Sequence, residues 1–309
     1  MGLLGSAEKD FYFRGNKMVT IGFIGAGITG TALAVRLHQQ GYHIVAVSSR
    51  TIASAERLAQ RIDGCQAYRT AQEVAHKAQL VFITTPDDVI TEVSSRVRWH
   101  KGQSIVHCSG AHSTDILETA KKLGANTGGL HPLQTFASVD KAVENLPGST
   151  FAIEAEEPIL TTLKEMAAAM SCNWVILTAE DKVLYHTAAV FACNYLVTLV
   201  KLATDLWQDF GVPREQAVRA LLPLLRGTLS NIENVGLPNC LTGPIARGDL
   251  GTIKKHLEAL EKEKAELLTT YKQLGLQTIP IALDKGKIDP EKARELRALL
   301  AKQLQGVLL

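Results

Sequence analysis

IGFIGAGITG, residues 21–30, is the stretch that decides the fold of this chain, because an apolar run enters glycines at the spacing Gly25-x-Gly27-x-x-Gly30. A helix-forming segment, TALAVRL, follows at 31–37. Gly25 suits a tight turn, Gly27 lets the backbone approach a pyrophosphate, and Gly30 lets the helix pack against the strand. The helix N-terminus presents free N–H groups to phosphates. The pattern predicts a dinucleotide site, the alternative being a glycine-rich turn in another α/β sheet. The predicted contacts are Gly25, Ala26, Gly27, Ile28, Thr29 and Gly30.

The end of the second predicted strand favours NADP over NAD. HIVAVS, residues 43–48, ends about twenty residues after the glycines, where an NAD site usually places Asp or Glu for the ribose 2′-hydroxyl. Ser48, Ser49 and Arg50 stand there instead. No carboxylate repels a 2′-phosphate, the hydroxyls can donate to it, and the guanidinium can pair with it in fork geometry. The alternative is a Ser/Thr helix cap with a solvated arginine.

The pattern of apolar and polar residues changes once along the chain. From 18 to 178 short apolar runs alternate with amphipathic segments, with late strands near 126–130, 149–154 and 173–178, which predicts a parallel sheet with helices on its faces. We therefore predict an α/β fold: a loose leader over 1–17, a Rossmann nucleotide-binding domain over 18–178, and an all-helical domain for substrate binding and dimerisation over 179–309. Helices of the second domain are predicted at 180–210, 213–229, 251–274, 277–284 and 290–305.

Charge and hydropathy exclude some partners. The net charge is +2, with basic and acidic residues interspersed rather than clustered as in a nucleic-acid-binding face. No apolar run approaches about eighteen residues without a charge or a strongly polar group, and the N-terminus lacks the basic and apolar regions of a signal peptide. We expect neither nucleic acid nor a membrane as a partner, and a cytoplasmic location.

Cysteine and histidine spacing points to no metal or disulfide framework. The 5 cysteines are scattered without a Cys-x-x-Cys pair, which suits reduced thiols in a cytoplasm. The 9 histidines form no His-x-x-x-His pair and no His/Asp/Glu cluster with metal spacing. We therefore predict no metal.

Polar residues follow the fourth and fifth predicted strands. LVFIT, residues 80–84, runs into Thr85 and Pro86, and SIVHC, residues 104–108, runs into Ser109. An open α/β sheet binds its ligand outside the carboxyl ends of its strands. Thr85, Pro86 and Ser109 are therefore candidate cofactor contacts, and Ser109 can contact either nicotinamide or substrate. His107, inside the fifth strand, is interpreted as a packed strand residue.

Three further stretches carry a resemblance to a known group: GGLHPLQTF at 128–136, KVLYH at 182–186 with Asn194, and LTGPIARGD at 241–249. Together with the glycine loop, they resemble the 6-phosphogluconate-dehydrogenase-like superfamily. This group includes β-hydroxyacid dehydrogenases, ketopantoate reductase, pyrroline-carboxylate reductase and prephenate dehydrogenase. Within it, the chain is similar to predicted oxidoreductases whose helical C-terminal domain has no assigned function.

The resemblance implies a catalytic role for Lys182. Relatives place a catalytic lysine on the corresponding helix and an asparagine one turn later, where this chain has His186. An ammonium there can polarise a carbonyl and deliver a proton as the hydride arrives. At 100° per residue His186 lies about 40° from Lys182, while Asn194 lies about 120° away at the margin of that face. The alternative is a solvated lysine near a helix start.

His131 and Arg247 are the other candidates. The Gly-Leu-His-Pro stretch around His131 resembles the Gly-His-Pro stretch of prephenate dehydrogenases, whose histidine contacts the hydroxyl that is oxidised. An imidazole is a natural proton carrier near neutral pH, although a loop histidine bonded to backbone is the alternative. Arg247 lies in a long loop and suits a substrate carboxylate, or it braces the loop together with Asp249.

The predicted function is therefore an NADP-dependent oxidoreductase that reduces a small 2-oxo carboxylic acid or oxidises a 3-hydroxy one, with ketopantoate as the single preferred substrate. The predicted catalytic residues are Lys182, His131, His186, Ser109 and Asn194. An imine reductase of the pyrroline-carboxylate type is the enzymatic alternative, and a non-catalytic NADP-binding sensor or partner protein is the other. The apolar helices after residue 180 and the resemblance both predict a homodimer through 180–309.

Overall fold

The structure, a computed structural model, describes residues 19–302. The predicted leader, 1–17, and the end of the last predicted helix, 303–305, lie outside the described residues. Strands of the described part form one sheet in the order β3-β2-β1-β4-β5-β6-β7-β8. In chain order they are β1 Thr20–Ile24, β2 His43–Ser48, β3 Gln66–Tyr68, β4 Leu80–Ile83, β5 Ser104–His107, β6 Asn126–Leu133, β7 Thr150–Ala155 and β8 Asn173–Ile176.

Helices alternate with these strands and then continue alone. Those of the sheet region are α1 Ile28–Gln39, α2 Ile52–Ala59, α3 Ala71–Lys77, α4 Ile90–Arg96, α5 Glu118–Lys122, α6 Val139–Asn145 and α7 Ile159–Ala169. Those that follow are α8 Asp181–Ala189, a π-helical segment Val190–Asn194, α9 Tyr195–Asp209, α10 Arg214–Val235, α11 Leu250–Glu263, α12 Leu268–Asp284 and α13 Pro290–Ala301. The predicted fold class, a Rossmann sheet followed by helices, is confirmed.

Strand direction departs from the prediction at one end of the sheet. β1 to β6 pair in parallel, but β7 pairs antiparallel with β6, and β8 is parallel to β7. The predicted parallel sheet is confirmed for β1 to β6, and the last two strands run in the opposite direction. Reversed strands at the edge of an otherwise parallel sheet are common, and an apolar run does not record its direction.

β6 is longer than its parallel neighbour. Gly129 of β6 pairs with His107, the last residue of β5, so residues 130–133 extend beyond the carboxyl end of β5. This extension pairs with β7 instead, His131 lying opposite Ala152 and Leu133 opposite Thr150. The extension carries His131 past the edge of the sheet at which the parallel strands end.

Apolar side chains cover both faces of the sheet. Along β4, Phe82 belongs to one core cluster, while Val81 and Ile83 belong to the cluster on the opposite face. This alternation is the period of a strand that is buried on both sides. In the first cluster the rings of Phe23 and Phe82 stack with centroids 5.1 Å apart. A rigid, doubly covered sheet therefore holds the carboxyl ends of its strands in place.

The chain divides into two compact units between Thr198 and Leu199, within α9. The strand pattern itself ends earlier, with β8, close to the 178/179 boundary read from the sequence. The helical run Asp181–Asp209 has a mean hydropathy of 1.6 over its most apolar window and is long enough to cross a membrane by length and composition. The sequence-based expectation of no such segment thus fails on length and hydropathy, and none of the apolar window is buried within the described chain.

The second unit is helical in its described part, 199–302. A core cluster of apolar residues from α11, α12 and α13 includes Ile253, Ile279 and Leu296. The prediction of separate helices at 251–274 and 277–284 is wrong: the break falls after Glu263, and α12 runs through Pro280. Gly275, Ile279 and Ala282 form one buried stripe across the proline, so packing outweighs the backbone hydrogen bond that proline cannot make.

Candidate active site

The glycine loop has the geometry that a dinucleotide requires. Gly25 has a φ of +115°, and a Cβ there would lie 2.7 Å from the Thr84 carbonyl group. A Cβ on Gly30 would lie 2.3 Å from Thr84 Oγ1, which donates a hydrogen bond to the Gly25 carbonyl over 2.8 Å. Gly27, in contrast, faces open space, and no side chain caps α1. The residues present therefore fit a pyrophosphate that approaches the free N–H groups of α1.

The end of β2 offers hydroxyls and a free guanidinium. Ser48 is buried, and its carbonyl accepts a hydrogen bond from the Gly25 N–H over 2.8 Å. Ser49 is half-buried, and Arg50 is exposed. Within 19–302 no hydrogen bond or ion pair holds the Arg50 side chain, so it is available to a 2′-phosphate.

One cavity of about 1190 Å³, the glycine-loop cavity, lies within the first unit. Gly27, Ile28 and Thr29 form one side, and Thr84, Thr85 and Pro86 at the end of β4 adjoin them. The opposite side is formed by the β6 extension with the residues after it, and by α8, the π-helical segment and the start of α9. None of the described residues that line this cavity is Lys, Arg, Asp or Glu.

His131 and His186 both line the glycine-loop cavity. His131 lies on β6 rather than in a loop, which corrects the sequence-based placement. Its Nδ1 lies 2.7 Å from the Tyr185 hydroxyl, and the rings meet edge-to-face. The His131 and His186 ring centroids are 6.1 Å apart. A Cβ on Gly110 would lie 2.6 Å from His186 and 2.9 Å from His131, so only glycine leaves room for both imidazoles.

Ser109 and Lys182 are buried and do not line the glycine-loop cavity. Ser109 is buried, and its hydroxyl donates to Asp87 Oδ2 over 2.6 Å. The Ser109 N–H donates to His107 Nδ1 over 3.1 Å, and its carbonyl accepts from Lys182 Nζ over 3.0 Å. Lys182 is 0% exposed. Neither side chain lines the cavity, and the predicted catalytic roles of both stay predictions.

Burial around Lys182 leaves two polar atoms without partners. Glu154 Oε1 accepts hydrogen bonds from the Thr114 backbone and hydroxyl, whereas Glu154 Oε2 is buried without a partner, as is His107 Nε2. Burial lowers the pKa of Lys182, and the charge of Glu154 is the largest influence that opposes this shift. The Lys182 amine is therefore fully buried, and the buried Glu154 carboxylate is the charge that most favours its protonated form.

Both histidines of the β5–β6 region are held neutral. Burial, and next the charge of Lys182, lower the pKa of His107 to about 3 and that of His131 to about 4. Burial raises the pKa of the Tyr185 phenol to about 12. At neutral pH the pair His131–Tyr185 thus consists of an uncharged imidazole and a protonated phenol.

The π-helical segment brings Asn194 and Cys193 to the cavity. π-helical turns are rare and frequently mark functional sites, because one extra residue changes which side chains face a ligand. A plain 100° count had placed Asn194 at the margin of the face that carries Lys182. The structure places it on the cavity wall.

Arg247 belongs to the second unit. It ends the 3₁₀ turn Ile245–Arg247, and Gly248 follows in a left-handed conformation with a φ of +68°. Hydrogen bonds from Thr252, and to a smaller extent the charge of Arg247, hold the pKa of Asp249 below its ordinary value. The predicted contact of Arg247 with a substrate carboxylate stays a prediction.

Sequence reasoning missed Tyr185, Asp87 and Glu154. Tyr185 stands inside the KVLYH stretch, but its partner His131 is 54 residues away, and nothing local to either residue signals the contact. The five cysteines are free. In the described part of the chain no group of three or more His, Cys, Asp or Glu side chains is placed to hold a metal ion.

Comparison with known proteins supports the class that the fold and the cavity define, a Rossmann-like domain joined to a helical domain. Residues 9–132 match the Rossmann-like domain family, and residues 149–278 match the family described as a domain of unknown function, DUF2520. These two matches confirm the predicted combination of a Rossmann-like domain with a C-terminal domain of unassigned function. No curated protein matches the chain by sequence.

Solved structures share the fold over nearly the whole chain. A candidate NADP oxidoreductase from Bacteroides fragilis is 28% identical with a TM-score of 0.68, over 85% of this chain and 99% of that one. A reductive aminase from Aspergillus terreus, solved with NADPH, is 16% identical with a TM-score of 0.60, over 93% and 94%. Pyrroline carboxylate reductase from Plasmodium falciparum, solved with NADP, is 13% identical with a TM-score of 0.54, over 92% and 99%.

Proposed function

We propose that this protein is an NADP-dependent oxidoreductase that reduces a carbonyl or imine group of a small molecule. The observation that carries the proposal is that one cavity is lined both by the glycine loop and by the His131, Tyr185 and His186 side chains. NADPH, when bound, supplies the hydride. The protein orients the substrate between the glycine loop and the side chains of His131, Tyr185 and His186. It also supplies the proton that the reduced atom takes up.

Two substrate classes are carried forward. The sequence favours a 2-oxo acid of the ketopantoate type, with Arg247 as the carboxylate ligand. The apolar and uncharged lining of the glycine-loop cavity supports an uncharged ketone or imine, and the solved reductive aminase and pyrroline carboxylate reductase share the fold. Rates of NADPH oxidation with a panel of 2-oxo acids, neutral ketones and cyclic imines rank the two classes.

The same panel separates an enzyme from a sensor. A non-catalytic NADP-binding protein keeps the glycine loop without needing His131, Tyr185 or Lys182. NADPH binding with no turnover on any member of the panel would contradict the oxidoreductase and favour the sensor.

NADPH should bind more tightly than NADH, and Arg50→Ala should narrow the gap. A charge-assisted pair with phosphate is worth about 1.5–3 kcal/mol, or about tenfold or more in affinity. Isothermal titration of both cofactors against both proteins measures it. Arg98→Ala, which removes an exposed arginine that precedes β5 in the first unit, is the matched control and should leave the preference unchanged. An Arg50→Ala protein with the wild-type NADPH/NADH ratio would remove the basis for the NADP assignment.

We propose that the exposed apolar helices pair two copies of this chain in a reduced cytoplasm. In the first unit Leu184 is 75% exposed and Phe191 66%, and in the second unit Leu224 is 66% exposed. Large apolar side chains exposed to this extent in each unit favour a protein interface. The Asp181–Asp209 run begins with the buried Lys182 and lines the nucleotide-sized cavity, which favours an aqueous protein partner over a bilayer for its exposed face.

Light scattering at micromolar concentration should give twice the 33.5 kDa chain mass. Leu224→Glu should shift the protein toward monomer, because a carboxylate buried at an interface costs several kcal/mol. Leu123→Glu, at another exposed leucine, is the control and should stay dimeric. A wild-type protein that is monomeric in detergent-free buffer contradicts the dimer, and one that is recovered only with membranes supports the bilayer.

A further inference from the structure

We propose that Tyr185 is the catalytic residue that gives the proton to the reduced substrate. His131 positions the Tyr185 hydroxyl and returns a proton to it after each turnover. The inference rests on the proposed reductase function and deepens it. Tyr185 lines the glycine-loop cavity beside His131 and His186, and its hydroxyl lies 2.7 Å from His131 Nδ1. Lys182, the donor expected from the sequence, is fully buried, and its Nζ is bonded to the Ser109 carbonyl.

The two nitrogens of His131 have different surroundings. Nδ1 contacts the Tyr185 hydroxyl. Nε2 makes no hydrogen bond within the described chain, and it is not fully buried. Solvent can therefore reach Nε2. With its proton on Nδ1, the imidazole donates to the phenol oxygen and leaves the phenol proton free for a ligand.

The proton step balances in this arrangement. A hydride adds to the carbonyl carbon, the C=O π pair moves to oxygen, and the Tyr185 O–H bond breaks as its proton joins that oxygen. The Nδ1 proton of His131 then passes to the phenolate while Nε2 takes a proton from a solvent water, which leaves as hydroxide, so that each turnover consumes one solvent proton. Tyr185 and His131 end as they began, apart from the imidazole proton having moved from Nδ1 to Nε2, which exchange with water reverses.

The surroundings favour a neutral donor over an imidazolium. His186 faces the pair from α8, and the charges of Lys182 and Asp87 and the His107 ring act on His131 from behind. Burial, Lys182 and His186 lower the pKa of His131 to about 4, so the ring carries no charge at neutral pH. The phenol keeps its proton because burial raises its pKa to about 12.

The second unit contains a matched pair. His256 Nδ1 lies 2.8 Å from the Tyr271 hydroxyl, and the rings meet edge-to-face with centroids 5.8 Å apart. This is nearly the geometry of His131 and Tyr185, but neither residue lines the glycine-loop cavity. Tyr271→Phe therefore removes the same atom from the same kind of pair outside the proposed site.

The first test is kinetic. Tyr185→Phe should lower kcat on the best substrate of the panel about 10²-fold or more, with NADPH affinity unchanged in a fluorescence titration. Tyr271→Phe should keep the wild-type rate. The wild-type reductive rate should not fall between about pH 7 and pH 10, whereas a donor imidazolium would lose activity above about pH 6.5. A Tyr185→Phe enzyme within about twofold of wild type overturns the proposal and leaves the reductase intact. A wild type that turns over nothing overturns both.

The second test needs no turnover. Nitrogen-15 NMR of the histidines in the cofactor-free protein reports which ring nitrogen carries the proton. We expect the Nδ1–H form for His131 in the wild type and a change in its resonances in Tyr185→Phe but not in Tyr271→Phe. An Nε2–H form in the wild type overturns the proposal, because the phenol proton would then be bonded to Nδ1 and unavailable to a substrate.

Discussion

Lys182→Met should lower the free energy of unfolding by about 3–5 kcal/mol, because it leaves the buried Glu154 carboxylate without its main counter-charge. Adding Glu154→Gln to this variant should restore part of the loss, since an amide still accepts the Thr114 hydrogen bonds and carries no charge. Urea unfolding followed by circular dichroism measures all three proteins. Lys141→Met is the control, because the Lys141–Glu144 pair is exposed and such pairs contribute about 0–1 kcal/mol.

The same variants address the sequence-based assignment of Lys182 as proton donor. A donor lysine predicts that turnover falls by about 10²–10⁴-fold in Lys182→Met and does not recover when Glu154→Gln is added. A positioning lysine, which holds the Ser109 carbonyl from behind the cavity wall, predicts that stability and turnover recover together. Lys182→Met with wild-type stability would contradict a stabilising charge interaction between Lys182 and Glu154.

Acid should destabilise the first unit well above the pH at which carboxylates titrate. The folded-state pKa values of His107 and His131 are depressed to about 3 and about 4, against about 6.5 in the unfolded chain. Above about pH 6.5 neither state binds the protons, so stability is fully present. As the pH falls from about 6.5 toward 4, only the unfolded chain takes them up, and each histidine removes about 1.4 kcal/mol per pH unit.

Urea midpoints at pH 7.5 and pH 5.0 measure this dependence, which we expect to reach about 4 kcal/mol for the two histidines together. His131→Asn should reduce the slope by about one proton. His107→Asn should do the same and keep an acceptor for the Ser109 N–H. His43→Asn, at an exposed histidine at the start of β2, is the control. Equal midpoints for the wild type at the two pH values would contradict neutral, buried imidazoles.

The sequence predicted the sheet well because its signals are local. The glycine spacing at 25–30 and the alternation of apolar runs with amphipathic segments are readable within a few residues. The direction of β7 cannot be predicted locally, because the apolar pattern of TFAIEA fits a strand in either direction. Only its pairing with β6 decides the direction. The predicted break between residues 274 and 277 is wrong for a similar reason, since the buried stripe Gly275, Ile279 and Ala282 is defined by tertiary contacts.

The sequence predicted several residues of the candidate site but not the burial or the contacts of each one. His131, His186 and Asn194 do reach one cavity with the glycine loop. Lys182 could not be recognised as buried, because a lysine near a helix start is ordinarily solvated. Its burial comes from packing against distant segments, since Nζ bonds to the Ser109 carbonyl and lies next to Gly129 of β6. Tyr185 gains a role only through a partner on β6.

The extension of β6 beyond β5 determines how firmly His131 is held at the cavity. Because β7 supplies ladder partners to residues 130–133, His131 is mounted on paired backbone, and groups on strands are held more precisely than groups on loops. The helical run on the same side of the cavity contains the π-helical turn Val190–Asn194, a kind of turn that is frequent at functional sites. The imidazole that contacts the Tyr185 phenol is therefore held by strand pairing, and a change in the pairing of β6 with β7 would move it away from that phenol.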